Sequence, residues 1–306
     1  MVDPRVDAAY AACQQLARTH YENFPVASRL MPSSARRHVV AIYAFARLAD
    51  DIADEGTRLP DDRVQALDEW QSRLDAAAHG RVEPCGSALT DAVFVALRET
   101  LTVLRARDAE GRPDRVHELL SDLLSAFRQD VVKTRYATWD EVLDYCRRSA
   151  NPVGRLVLIV TGHREAALGP WSDHVCTALQ LTNFWQDLAI DWARGRLYVP
   201  LDVVSHHGAR LEDLGREWTQ EWRAALQDVG ARTQTLFTEG RPIADAVQGR
   251  LRWELRATWL GGTCILDRTR EGDYDVFTHR PTLTRSDVPG LLWRTMTWRA
   301  TARRVE

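Results

Sequence analysis

The chain has 306 residues, of which 45% are hydrophobic and 27% are charged, the balance of a globular protein with a core. Its formal net charge is −3, so it lacks the basic excess typical of nucleic-acid binding, and we expect no nucleic-acid partner. The longest apolar run, Leu156–Val160, is far too short to span a bilayer, and the first 18 residues have no apolar core of a signal peptide.

Five cysteines are scattered along the chain and show no CxxC spacing. They are Cys13, Cys85, Cys146, Cys176 and Cys264. An odd number without metal-binding spacing favours reduced thiols in the cytoplasm and argues against a zinc site.

The first helices are marked by their ends. Asp3 and Pro4 are typical of an N-cap followed by the first helical position, and they predict a helix that runs to about residue 20. Residues 21–32 are expected to form an ordered loop or a short helix. A serine at 33 or 34 then caps a helix that ends near Gly56.

Helical patterns continue to the end of the chain. They are predicted at about 61–79, 87–108, 113–130, 139–162, 171–191, 212–228, 230–248, 250–269 and 286–303. Asn151-Pro152 should interrupt the pattern at 139–162, a second break is expected near Pro242, and residues 192–210 read as mostly loop. No alternating strand pattern, repeat or linker occurs, which predicts a single all-α domain over residues 1–306.

A first polar stripe lies on the apolar pattern of residues 39–54. Tyr43, Arg47, Asp50 and Asp54 are spaced i, i+4, i+7 and i+11, which places them on one helical face. Because the rest of this helix is apolar, the stripe should carry charge towards the interior, where unpaired carboxylates are costly. The stripe is therefore predicted to be one wall of a site.

A second polar stripe repeats this pattern over residues 176–191. Gln180, Asn183, Asp187 and Asp191 are spaced i, i+3, i+7 and i+11 among apolar residues. Each stripe thus ends in a D-x-x-x-D pair, whose carboxylates lie one helical turn apart.

Carboxylates at this density repel one another unless a cation compensates them. Mg²⁺ prefers oxygen ligands and is commonly shared between carboxylates and substrate phosphates. We therefore expect two such helices facing each other to line a cavity that holds Mg²⁺ and a diphosphate. The alternative for either motif alone is a solvated acidic helix end.

Four segments together resemble the squalene/phytoene synthase family: AIYAFARLADDIAD at 41–54, YCRRSANPVG at 145–154, QLTNFWQDLAID at 180–191 and GRLYVP at 195–200. The resemblance implies an isoprenoid-synthase-type helical bundle around a central cavity, flanked by two aspartate-rich helices that bind Mg²⁺ and prenyl diphosphates. It implies more than one Mg²⁺ ion. No nicotinamide is expected.

The resemblance also implies roles for individual residues. The metal-binding positions are matched by Asp50, Asp54, Asn183, Asp187 and Asp191, with Asp51 in support. The substrate-binding positions are matched by Asn23, Phe24, Ser28, Tyr43, Arg47, Gln180, Gln186, Arg196 and Tyr198, where Gln186 stands in place of the usual basic residue. Tyr145 matches a tyrosine beside the carbocation, and Asp130, Arg135 and Tyr136 are expected either to support the site or to form a structural cluster.

Within the family, residues 22–30 and 145–158 look most like the hydroxysqualene synthases of the bacterial hopanoid route. That branch ionises presqualene diphosphate, rearranges the cyclopropyl cation and quenches it with water. We expect Ser149 and Asn151 to hold the quenching water, because they replace apolar residues of better-known relatives. The alternatives are condensation of two prenyl diphosphates to presqualene diphosphate or phytoene, and a non-catalytic helical assembly factor.

The expected partner is presqualene diphosphate or a related prenyl diphosphate. Since such substrates have long hydrocarbon chains, we expect a cytoplasmic protein with peripheral contact at the inner face of the membrane. The sequence does not indicate an oligomeric state.

Overall fold

The computed structural model describes residues 3–19, 33–107 and 110–298, without the side chains of Ser33 and Ser34. Within these ranges the regular structure is helical, apart from an isolated parallel bridge between Arg135 and Leu197. The prediction of an all-α fold is confirmed.

The helices are numbered in chain order. They are α1 (Pro4–Thr19), α2 (Ser33–Asp54), α3 (Pro60–Ala78), α4 (Ala88–Ala106), α5 (Arg115–Val132), α6 (Trp139–Ser149), α7 (Asn151–Val160), α8 (Glu165–Gln186), α9 (Leu188–Ala193), α10 (Leu201–His206), α11 (Gln220–Gly240), α12 (Ile243–Ala246), α13 (Gly249–Glu271) and α14 (Val288–Thr297). A 3₁₀ turn at Arg285–Asp287 leads into α14.

The chain divides into two compact units. The first comprises Met1–Lys133 and Asp144–Asp173, and the second comprises Thr134–Leu143 and His174–Glu306. The single domain over residues 1–306 stays a prediction.

Helix α2 is the centre of the first unit and packs against α1, α3, α4, α5 and α7. Its buried face is rich in alanine, and Ala41, Ala44 and Ala49 have no exposed surface. Such small side chains let neighbouring helices approach closely. Phe45 adds volume, and its ring meets that of Phe94 edge to face with the ring centroids 5.9 Å apart.

A buried polar network links three helices of the first unit. The hydroxyl of Tyr10 on α1 lies 3.0 Å from Thr100 Oγ1 on α4 and 3.3 Å from His38 Nδ1 on α2. Burial, together with the charges of Arg37 and Arg107, lowers the pKa of His38 to about 4. The imidazole is therefore neutral in the folded chain near neutral pH.

The second acidic helix begins earlier than predicted. Helix α8 starts at Glu165 rather than near 171 and contains Pro170, because the carboxylate of buried Glu165 is held by Arg115 and Arg155 and fixes the first turn. The helix is also interrupted at Asp187, which separates α8 from α9.

The two helices predicted at 212–228 and 230–248 are largely replaced by a single helix, α11, which begins at Gln220 and ends at Gly240. Gly230 leaves room inside this helix for Tyr274, whose hydroxyl would lie 2.5 Å from a Cβ atom at that position. The expected break near Pro242 is present, since α11 ends at Gly240 and α12 begins at Ile243. The segment expected to be mostly loop contains the short helix α10.

Each helix in the described part of the chain is too short or too polar to cross a bilayer.

The depressed pKa of His38 predicts a pH-dependent stability. His38 stays neutral in the fold down to about pH 4, whereas in the unfolded chain it gains a proton near pH 6.5. The contribution of neutral His38 to the free energy of unfolding is thus fully present above pH 6.5 and is lost as the pH falls towards 4. Between pH 7 and pH 5, the free energy of unfolding of the wild type should fall by about 2 kcal/mol more than that of His38→Gln.

Urea unfolding at the two pH values measures this difference. The exposed His279 provides the control, and His279→Gln should behave as the wild type. Equal decreases in the free energy of unfolding of the wild type and His38→Gln would show that His38 does not cause the acid sensitivity.

Candidate active site

The first stripe lies along the part of α2 that is not covered by its neighbours. Tyr43, Arg47 and Asp50 are half-buried, while Asp54 is exposed at the end of the helix. The expectation that the stripe carries its charge into the interior is thus wrong for Asp54, and the Asp50 side chain is 44% exposed. Because solvent reaches these carboxylates, their desolvation cost is smaller than the sequence suggested.

Arg47 is surrounded by carboxylates of its own helix and of the turn that follows. Its guanidinium lies 2.7 Å from Asp51, 3.1 Å from Glu55 and 3.8 Å from Asp50. This explains the supporting role predicted for Asp51, which holds the arginine in place. Glu55 belongs to the same cluster, and it was not predicted from the sequence because it does not share the spacing of the stripe.

Tyr145 is anchored at the junction of α5 and α6. Its hydroxyl donates a hydrogen bond of 2.6 Å to Asp130 at the end of α5. Arg148, one turn further along α6, donates to Ser125 and Gln129 of α5 at 3.1 and 2.5 Å. These bonds fix the side chain of a tyrosine that is only 4% exposed.

The helical segment is interrupted shortly after Tyr145, as Asn151-Pro152 predicted. Helix α6 ends at Ser149 and α7 begins at Asn151, because Pro152 has no N–H to continue the backbone hydrogen bonds of the helix. Asn151 is buried. Among the described residues, Ser149 Oγ is a buried hydroxyl with no hydrogen-bond partner. A polar atom of this kind is commonly satisfied by an ordered water.

The second stripe remains on one face despite the interruption at Asp187. The amide of Asp187 donates to the carbonyl of Asn183 at 2.8 Å, and the amide of Asp191 donates to that of Asp187 at 2.9 Å. The i to i−4 ladder thus passes through the break and sets the three side chains one turn apart. These residues and Gln180 are all half-buried.

An aromatic stack lies beside the second stripe. The ring of Tyr198 is parallel to that of Phe184 with centroids 3.8 Å apart, and it also stacks on Tyr136 at 5.6 Å. Tyr136, predicted to support the site, therefore supports Tyr198. The amide of Arg196 donates to the carbonyl of Asp191 at 2.8 Å, which ties the following loop to the end of α9.

Arg135 fixes that loop from the other side. Its guanidinium donates to the carbonyl of Gly195 at 2.5 Å and lies over the ring of Trp192. Arg135 is thus a structural member of the second unit, whereas Asp130 is in the first unit with Tyr145.

A residue from the far end of the chain also contacts the second stripe. Arg280 Nε donates to Asp187 Oδ1 at 2.5 Å, and this bond raises the pKa of the Arg280 guanidinium. Next to it, Gln186 Nε2 donates to the carbonyl of Pro281 at 2.5 Å. The sequence analysis missed Arg280, because a single arginine 93 residues away in an irregular segment carries no periodic signal. Where Gln186 replaces the usual basic residue, Arg280 supplies a cation.

Three of the predicted substrate-binding residues, Asn23, Phe24 and Ser28, lie outside the described residues.

The donor atoms of the two stripes suit a hard cation. In the first unit Asp50 and Asp54 offer two carboxylates one turn apart, and in the second unit Asn183, Asp187 and Asp191 offer two carboxylates and an amide oxygen. In the described part of the chain no three His, Cys, Asp or Glu side chains converge to hold a metal ion by themselves. Oxygen donors of this kind are those that Mg²⁺ prefers, and it usually takes one or two protein carboxylates and completes its shell with water and substrate phosphates. The contact between Asp187 and Arg280 shows that this carboxylate is already placed to neutralise positive charge.

Comparison with known proteins gives a consistent result. Residues 17–287 match the model of the family described as squalene/phytoene synthase. The chain belongs to this family. A hydroxysqualene synthase from Sinorhizobium fredii is 40% identical over 237 residues, which cover 76% of this chain and 74% of the relative.

Two further relatives agree with this assignment. The crystal structure of the squalene synthase HpnC from Alicyclobacillus acidocaldarius has 36% identity and a TM-score of 0.79, and the match covers 89% of this chain and 97% of that structure. A phytoene synthase from Arthrospira platensis is 29% identical over 89% of this chain and 87% of its own length. The similarity to a hydroxysqualene synthase predicted from the sequence is confirmed. The family processes prenyl diphosphates, and this chain is an enzyme of that kind.

Proposed function

We propose that the chain catalyses the Mg²⁺-dependent conversion of presqualene diphosphate into hydroxysqualene. The observation that carries this proposal is the 40% identity to a hydroxysqualene synthase over three-quarters of both chains. The phytoene synthase from Arthrospira platensis, which would exemplify condensation of two prenyl diphosphates, is less similar at 29%.

The reaction begins with cleavage of the bond between carbon and the diphosphate oxygen. Mg²⁺, when bound, neutralises the charge that develops on the leaving diphosphate. Asp50, Asp54, Asp187 and Asp191 would hold the metal ions together with the amide oxygen of Asn183. Arg47 and Tyr43 lie on the same face as the first carboxylate pair, where they are placed to contact diphosphate oxygens.

Arg280 takes over the part of the phosphate grip that Gln186 cannot provide. Its planar guanidinium is suited to phosphate oxygens and stays charged. Gln186 instead donates to the backbone of Pro281 and so holds the segment that carries Arg280 against the end of α8. The two residues therefore act together: one positions the segment and the other supplies the charge.

The carbocation left behind rearranges and is captured by water, which loses a proton to give the alcohol. The ring of Tyr145 can stabilise positive charge, and Asp130 holds its hydroxyl in a fixed direction. The buried Ser149 Oγ at the α6–α7 break supports the role of this residue in holding the attacking water. Asn151 follows at the start of α7 and adds a second polar group.

Product analysis tests the proposed reaction. The full chain is incubated with presqualene diphosphate and Mg²⁺ in ¹⁸O-labelled water, with and without a nicotinamide, and a parallel sample receives farnesyl diphosphate alone. We expect hydroxysqualene that carries the label and forms without the nicotinamide. A product from farnesyl diphosphate alone would instead establish condensation, and a hydrocarbon that needs the nicotinamide would contradict water capture.

The α6–α7 break gives a second prediction. In Ser149→Val and in Asn151→Gly, diphosphate release should persist while the product shifts from the alcohol to hydrocarbons, because the water loses its polar partner. Mass spectrometry of the products measures the ratio of alcohol to hydrocarbon. Ser72→Ala is the control, since it also removes a hydroxyl but lies exposed on α3, away from the break.

In the control the ratio of alcohol to hydrocarbon should stay as in the wild type. An unchanged alcohol product in both Ser149→Val and Asn151→Gly would remove these residues from water capture.

A further inference from the structure

The outward face of α14 is apolar, which reverses the usual pattern of a surface helix. Val288, Leu292, Trp293 and Met296, here named the α14 patch, are 48, 56, 64 and 59% exposed. At 100° per residue they occupy one arc of roughly 140°. The residue that α14 buries is a polar one, Thr295.

The helix that carries the patch is firmly attached to the second unit. It packs against α13 and is followed by its C-cap residue Trp298, whose φ of 43° is left-handed. The Trp298 ring is contacted by Arg241 and Arg256 at 4.7 and 4.9 Å from its centroid, and it meets the ring of Trp259 edge to face. The patch is therefore held outward by its attachment.

Exposed apolar side chains are concentrated in this part of the second unit. Leu283, shortly before α14, is 41% exposed, and Trp253 on α13 is 38% exposed beside the guanidinium of Arg256. Grouped exposed apolar side chains of this kind are a feature of interaction surfaces. Tryptophans with a polar neighbour are common where a protein meets the headgroup region of a bilayer.

The charge around the patch differs from that of the whole chain. Within residues 285–298 two arginines accompany a single acidic residue, Asp287, whose carboxylate is paired with Arg268, whereas the chain carries a net charge of −3. The exposed Arg285 directly precedes the patch and Arg294 lies within the helix. A symmetric contact with a second copy would bring these arginines near their counterparts, which is unfavourable. Anionic headgroups would neutralise them.

We propose that the α14 patch docks the protein on an anionic phospholipid bilayer, with Leu292 and Trp293 inserted at the level of the headgroups. An apolar face flanked by arginines is the arrangement that lets a helix lie in a membrane interface. The proposal rests on exposure and charge and is independent of the reaction proposed above.

Vesicle flotation tests the docking. The full chain is mixed with vesicles of phosphatidylcholine alone or of an equal mixture of phosphatidylcholine and phosphatidylglycerol, without any prenyl diphosphate. The wild type should float with the anionic vesicles and much less with the neutral ones. The double variant Leu292→Asn, Trp293→Asn should bind at least about tenfold more weakly, because docking would no longer remove the apolar surface of these two side chains from water.

The control is the double variant Leu59→Asn, Val132→Asn, which removes two equally exposed apolar side chains elsewhere. It should bind as the wild type, and thermal melts of both variants check that they fold. Failure of the wild type to float would overturn the proposal, as would equal binding by the two double variants. Self-association of the wild type that is lost only in Leu292→Asn, Trp293→Asn, without flotation, would assign the patch to a second copy.

Discussion

Repulsion between carboxylates is the constraint on which the two stripes depend. Because the other faces of their helices are apolar, the acidic side chains of each stripe lie on one line about one helical turn apart. In the described structure an arginine compensates each stripe: Arg47 is held among three carboxylates in the first unit, and Arg280 donates to Asp187 in the second. These arginines stabilise the stripes, and the same donors suit the oxygen atoms of a diphosphate. The features that make each stripe stable therefore also suit it to its proposed ligand.

Much of this arrangement could be predicted from local patterns. The spacing of apolar residues identified α2 and placed Tyr43 to Asp54 on one face, and Asn151-Pro152 identified the break between α6 and α7. Both features depend on residues close together in the chain, whose relative positions are set by helix geometry. The resemblance to a family then added roles, and family membership is confirmed by the match over residues 17–287.

The parts that could not be predicted depend on residues far apart in sequence. Tyr274 packs into the space that a side chain at Gly230 would occupy, and Glu165 starts α8 early because arginines from other helices hold it. The contact of Arg280 is of the same kind. Periodicity shows which residues share a face, but whether that face is covered depends on packing. For this reason the charge of Asp54 seemed buried from the sequence, and the exposure of the α14 patch was not foreseen.

The central claim is that the acidic stripes bind diphosphate through Mg²⁺ and the compensating arginines. Isothermal titration calorimetry with inorganic pyrophosphate tests it without turnover, in the presence and absence of Mg²⁺. The account predicts binding that requires Mg²⁺, that weakens at least about tenfold in Asp191→Asn and in Arg280→Gln, and that is unchanged in Asp62→Asn, where the carboxylate is exposed on α3. Binding that is independent of Mg²⁺, or that is unaffected by Asp191→Asn and Arg280→Gln, would contradict it.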